Sequence, residues 1–233
     1  MLPVIDFYAT VVSCANTVCE CPNTVNDPAR GWVPRGFYFE GRPWDVDLLI
    51  VGKNPGHPIA VEKTGLYSDL SPAALATTAF ALAGQFFCGN PPVAKGEQRN
   101  EVFHRNLTEY ICKFLDIQPS EIFQRCAVTN LVKCSTVGEQ DRFRAKTKKE
   151  CFAKHFVREV QFLEPRVILA LGREVEKFLC QRRIKKQHGR PVVYVKHPSY
   201  YYSTLSKEAI LIPIKDTIQK HLRSANAARV REH

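Results

Sequence analysis

Asp47-Leu48-Leu49-Ile50-Val51-Gly52-Lys53-Asn54-Pro55-Gly56 is the stretch on which the fold turns: five residues, four of them apolar, stop at a glycine and enter a Pro-Gly turn. A run of that length, closed by a turn former, predicts a buried strand delivering its carboxyl end to a tight turn. Three further runs have the same form. They are Cys126 to Thr129, Val167 to Leu171 ending at Gly172, and Val192 to Val195 ending before His197. Between them lie stretches with helical patterning at Ala73 to Phe87, Val102 to Leu115, Lys148 to Leu163 and Arg173 to Arg183. Strands alternating with amphipathic helices predict a mostly parallel sheet covered on both faces.

The expectation is therefore a single domain over residues 1–233, a three-layer α/β/α fold with a central, mostly parallel, four-stranded sheet. The segment from Asn23 to Trp44, rich in Pro, Gly and aromatics, reads as a long ordered loop. Residues 206–233 read as a terminal helix, entered near Pro213 and fraying into a basic tail. Ligands of such sheets sit outside the carboxyl ends of the strands. That rule singles out Gly52 to Pro58, Asn130 to Cys134 and His197 to Tyr202 before any chemistry is considered.

Composition narrows the class of protein. Lys plus Arg is 33 against 23 for Asp plus Glu, a formal charge of +10, and a polyanionic partner is the simplest use for the surplus. No apolar run reaches the roughly 20 residues that span a bilayer, and the first residues lack the pattern of a signal peptide. A monomeric, cytoplasmic, nucleoid-associated protein with no membrane partner is expected. Nine cysteines in such a compartment are expected as metal ligands or buried thiols rather than disulfides.

Three polar motifs stand at the predicted strand ends: Gly52-Lys53-Asn54-Pro55-Gly56, Thr129-Asn130-Leu131-Val132-Lys133-Cys134, and His197-Pro198-Ser199 followed by Tyr200, Tyr201 and Tyr202. In this order they resemble the uracil-DNA glycosylase superfamily. The first is similar to its water-activating turn, in the Asn-Pro-Gly form of the mismatch-specific and single-strand-selective branches. The second resembles the Thr-Asn-x-Val-Lys-Cys of the iron-sulfur branch often called family 4. The run from Cys151 through Glu164-Pro165 to Leu171-Gly172-Arg173 resembles that branch too.

The resemblance implies hydrolysis of the N-glycosidic bond of uracil, or a related deaminated base, in DNA. It implies that Asn54 orients the attacking water and that His197 stabilises the negative charge on uracil O2. Asn130 pairs with the uracil edge, and Tyr67 falls near the aromatic platform. Gly52, Lys53, Pro55, Gly56 and Ser199 complete the substrate-binding turns, and Tyr200, Tyr201 and Tyr202 fall where the family inserts a wedge into the duplex. The residue types suit the chemistry. Bond breaking leaves an anion on the base, which a preorganised donor stabilises, and an amide offers uracil a donor and an acceptor side by side.

The resemblance also implies a structural [4Fe-4S] cluster. Cys134 and Cys151, with sixteen residues between them, correspond to half of its ligands, and two of Cys14, Cys19 and Cys21 to the other half, with a zinc site or buried thiols as alternatives. Cys88, Cys112, Cys126 and Cys180 read as core residues. Asn54, an amide where the strongest glycosylases carry an acid, predicts slower turnover. Lys53 replaces a glutamate and reads either as a phosphate contact or as a solvated side chain. The loop Ser135 to Lys146 holds no histidine, against covalent trapping of uracil DNA. A non-catalytic damaged-DNA or nucleic-acid binding protein on the same fold is the alternative.

Overall fold

A computed structural model of the chain describes residues 2–16, 24–55, 58, 61–87, 101–136, 145–199 and 204–231. The strands are β1 (Thr24–Val25), β2 (Leu48–Gly52), β3 (Cys126–Asn130), β4 (Ser135–Thr136), β5 (Val167–Leu171) and β6 (Val192–Val195). The helices are α1 (Leu2–Val12), α2 (Pro72–Phe87), α3 (Glu101–Leu115), α4 (Ile122–Arg125), α5 (Ala145–Cys151), α6 (Val157–Leu163), α7 (Arg173–Gln181), α8 (Ile184–His188) and α9 (Thr204–Arg231). A π-helical segment, Phe152–Phe156, joins α5 to α6 without a break.

Each of the four long apolar runs becomes a strand of one parallel sheet, in the order β3-β2-β5-β6. All five residues of β5 are buried, as a strand covered on both faces requires. On the edge strand β6 burial alternates, with Val193 and Val195 inside and Val192 and Tyr194 half-exposed. The chain leaves β2 toward β3 on one side and resumes at β5 on the other, so the strand order reverses between β2 and β5. At that switch point two neighbouring carboxyl ends diverge and open a crevice.

By their contacts the residues form two compact units. The first comprises Met1–Tyr38, Lys53–Arg99 and Thr129–Glu159. In it α1 packs on α2, with Tyr8, Val12, Tyr67, Leu75 and Ala76 in one buried cluster. The short ladder of β1 with β4 pairs Thr24 with Thr136 and Val25 with Ser135. The second comprises Phe39–Gly52, Asn100–Val128 and Val160–His233. It holds the four-stranded sheet except the last two residues of β3, with α7 and α9 against β5 and β6 and α3 against α9.

Several boundaries differ from the sequence reading. β2 begins at Leu48 because Asp47 turns its carboxylate, 2% exposed, onto the guanidinium groups of Arg125 and Arg166. The terminal helix is entered at Thr204, nine residues before Pro213, which lies inside it. Proline in a helix interior removes one backbone bond at a cost of about 3 kcal/mol. Here Leu211 before it and Ile218 and Leu222 after it are buried on one face, and that continuous apolar contact offsets the loss. Cys180 is exposed rather than in the core, because α7 turns Val175, Phe178 and Leu179 inward instead. Cys126 is buried and Cys112 half-buried, while Cys88 lies outside the described residues. No helix among the described residues is long and apolar enough to cross a membrane.

Within the π segment, His155 is 3% exposed, and burial together with the nearby cations Lys133, Lys154 and Arg158 lowers its pKa to about 3. The unfolded imidazole titrates near ~6.5, so below that pH the unfolded chain takes up a proton that the folded one refuses. This contribution to stability is complete above about pH 6.5 and is lost as pH falls toward about 3, at about 1.4 kcal/mol per unit. Denaturant titrations at pH 7.5 and 5 should show His155→Gln losing less stability over that interval than the parent chain. Equal losses would remove His155 as the cause.

Candidate functional site

The first motif continues β2. Gly52 closes the strand, Lys53 is half-buried and Pro55 is buried. Asn54, half-buried, donates its Nδ2 to the Pro55 carbonyl at 2.9 Å. That bond orients the amide, leaving Oδ1 as the acceptor that the side chain presents. Gly56 lies outside the described residues. The backbone of this turn is tied to the second motif, because the Val132 N–H donates to the Lys53 carbonyl at 3.0 Å.

The second motif is held by a charge that the sequence reading gave no role. Lys133 is 1% exposed, and its ammonium donates to Glu159 Oε2 at 2.5 Å, Asn130 O at 2.6 Å and Thr129 Oγ1 at 2.7 Å. An ammonium has three protons, and here each meets an oxygen. Thr129 in turn donates its hydroxyl to Glu159 Oε2 at 2.8 Å. Burial pushes the Glu159 carboxyl above its ordinary range, and the Lys133 ammonium opposes that shift. The result fixes the backbone at Asn130, the half-buried last residue of β3, from behind. The signal available in the sequence was a lysine directly between Leu131-Val132 and Cys134; nothing local marked Glu159 as its partner.

Other predicted residues of the first unit have clear positions. Tyr67 is 2% exposed, and its hydroxyl donates to Glu62 Oε1 at 2.8 Å. Both carboxylate oxygens of Glu62 also accept from the one nitrogen Arg35 Nη2, each at 2.7 Å. Burial and the Glu62 carboxylate push the Tyr67 phenol well above its ordinary pKa. Cys134 and Cys151 are both buried, and Cys151 packs against Val132. Cys14 is half-buried in the short 3-10 turn after α1. Cys19 and Cys21 lie outside the described residues. Among the described residues no group of three or more His, Cys, Asp or Glu side chains is arranged to hold a metal.

The third motif belongs to the second unit and follows β6. His197 is half-buried, and the backbone N–H of Ser199 donates to its Nδ1 at 3.3 Å. A nitrogen that accepts carries no proton, so this contact assigns the proton of the neutral imidazole to Nε2. The ring of Phe103 on α3 lies 5.4 Å from the imidazole, centroid to centroid, tilted by 38°. On α3 as well, the buried Asn106 donates Nδ2 to the Pro198 carbonyl at 2.7 Å, a contact with no counterpart in any motif. Gly172 at the end of β5 has φ of 94°, a left-handed value that favours glycine, and donates its N–H to the Val195 carbonyl at 2.8 Å. A Cβ there would stand 3.8 Å from the Cβ of His197. Tyr200, Tyr201 and Tyr202 lie outside the described residues.

Removing one partner of a buried ion pair leaves an uncompensated charge and typically costs about 3–5 kcal/mol, whereas removing both costs far less. Lys133→Met should lower unfolding free energy by that order in urea titrations, and Lys133→Met with Glu159→Leu should recover part of the loss. Additive losses would show that the two groups do not act as a pair.

The model of the uracil DNA glycosylase superfamily matches residues 38–217, a span containing all three motifs. No curated protein matches the chain. Among solved structures, wild-type SMUG2 of Pedobacter heparinus is similar at a TM-score of 0.44 and 16% identity, over 96% of this chain and 98% of that one. That likeness is too distant to carry residue roles across. With the family model matching most of its length, the chain belongs to the uracil DNA glycosylase superfamily.

Proposed function

We propose that the protein is a monofunctional DNA glycosylase that hydrolyses the N-glycosidic bond of uracil, or a related deaminated base, in DNA. The observation that carries this reading is the Ser199 N–H on His197 Nδ1. It presents a neutral imidazole with its proton on Nε2, the donor that a departing uracil anion needs at O2. As the C1′–N1 bond lengthens, the bonding pair stays with the base and positive charge grows on the sugar. A donor already aimed at the base oxygen stabilises that separation without reorganising. Water then adds to C1′, held by Asn54 Oδ1, the atom left for it by the bond from Nδ2 to Pro55 O, and the proton it loses passes through solvent to the uracil anion, which leaves as neutral uracil. An amide accepts a hydrogen bond but is not a base, which predicts modest turnover.

Asn130 supplies selectivity in this reading. Its amide offers a donor to uracil O4 and an acceptor to N3–H, while cytosine presents the reverse pattern. The lysine bond to its own carbonyl supports a fixed orientation for the side chain. The +10 charge and the segment containing Tyr200, Tyr201 and Tyr202 suit contact with duplex phosphates and stacked bases. Cys134 and Cys151 are thiols buried in one unit, the donor type that a [4Fe-4S] cluster takes. They would supply two of its four ligands, and its part would be to tie segments together, since hydrolysis moves no electrons.

His197→Ala should slow single-turnover excision of uracil by roughly 100- to 1,000-fold with little change in DNA affinity, and Asn130→Asp should begin to admit cytosine. A folded wild-type protein that binds DNA and releases no deaminated base would instead assign the non-catalytic binding role. Iron and acid-labile sulfide in stoichiometric amounts in anaerobically purified protein, lost in Cys134→Ser, should verify the cluster. Protein containing neither iron nor sulfide under those conditions excludes it.

A further inference from the structure

We propose that Asn106 is a positioning residue that sets the tautomer of His197 through a single peptide plane. Its relevance to excision rests on the function proposed above; its effect on the imidazole does not.

The argument begins with the planarity of the peptide unit. The carbonyl of Pro198 and the N–H of Ser199 belong to the same peptide bond and, in its trans form, point in opposite directions. Asn106 Nδ2 holds the carbonyl end at 2.7 Å, and the N–H end meets His197 Nδ1 at 3.3 Å. Rotation of the plane that broke one contact would break the other. The amide of Asn106 is itself held, because Lys207 Nζ donates to its Oδ1 at 3.1 Å. Nδ2 is therefore the atom turned to Pro198, and the side chain cannot exchange its two ends without placing like against like. At 6% exposure water offers little alternative to either bond. A chain of such bonds also polarises along its length, so each link strengthens the next.

Phe103 completes the support from the same helix. It stands three residues before Asn106, on the same face of α3, and packs on the imidazole ring. Phe103 confines the ring by contact, whereas the Asn106 chain acts on one of its two nitrogens and so distinguishes them. Lys207 reaches the amide from α9 and also pairs with Glu109.

The test uses variants that separate the two bonds. Asn106→Asp is isosteric and keeps the acceptor for Lys207 but cannot donate to Pro198 O. Lys207→Met keeps the donor and loses the lysine. Imidazole 15N shifts of His197 in the intact protein report the tautomer directly. We expect the parent chain and Lys207→Met to show a protonated Nε2 and an unprotonated Nδ1, and Asn106→Asp to show averaging between the two tautomers. Single-turnover excision should fall roughly 10- to 100-fold in Asn106→Asp, the usual range for a group that orients a catalytic one, with DNA affinity unchanged. A folded Asn106→Asp with parental His197 shifts overturns the proposal, whatever the rate. Altered shifts in a protein whose parent excises no base uphold the positioning role and defeat only the glycosylase reading.

Discussion

The ammonium of Lys133, out of reach of water, needs three acceptors, and the residues around it are arranged to provide them. A charge in such a place is tolerated only when its hydration is replaced in full. Thr129, Asn130 and Glu159 do so from a strand end and a helix. Satisfying that requirement fixes β3 at its last two residues and ties them to α6. It also sets the path of the backbone between Asn130 and Cys134, from which Val132 bonds the turn after β2 and the Lys133 carbonyl accepts from the Arg35 N–H. The order of the first unit around these motifs thus has an electrostatic origin.

The third motif is held by different means. Among the described residues, those that hold His197 supply an aromatic contact and a peptide plane rather than a buried ion pair. The two bonds to the peptide plane itself, from Asn106 and to Nδ1, join uncharged groups, which suits the neutral imidazole of the proposed glycosylase reading. A carboxylate in the place of Asn106 would be a stronger acceptor but the wrong partner for a carbonyl.

Much of the fold was legible because apolar runs and their stops are local signals. Val167 to Leu171 and Val192 to Val195 end where the backbone must turn, at Gly172 and before His197, and both are strands as read. The misses have identifiable physical causes. α1 carries Val, Ile, Phe, Tyr and Thr, residues of low helix propensity, and packing on α2 overrides that preference. Pro213 was read as a helix entry because proline disfavours an interior, yet the apolar face on either side of it is continuous. At the candidate site, Asn54, Asn130 and His197 could be nominated from the sequence because motifs sit at strand ends. Asn106 and Glu159 occupy ordinary amphipathic helices, and their importance arises only from partners that are distant in sequence.

The π segment between α5 and α6 has a geometric consequence for the same neighbourhood. Cys151 and Glu159 are eight residues apart, and in an uninterrupted α-helix their side chains would diverge by about 80° around the axis. An i→i+5 turn accommodates one additional residue, which rotates everything beyond it back by roughly one residue's worth of arc. Cys151 can then face Val132 while Glu159 faces Lys133, one residue further on. The wide turn acts as a phase corrector, bringing two contacts onto a single azimuth of the rod. Removing one residue from Phe152–Phe156 would keep the helix and its length nearly intact while forcing it to choose which of the two contacts to keep.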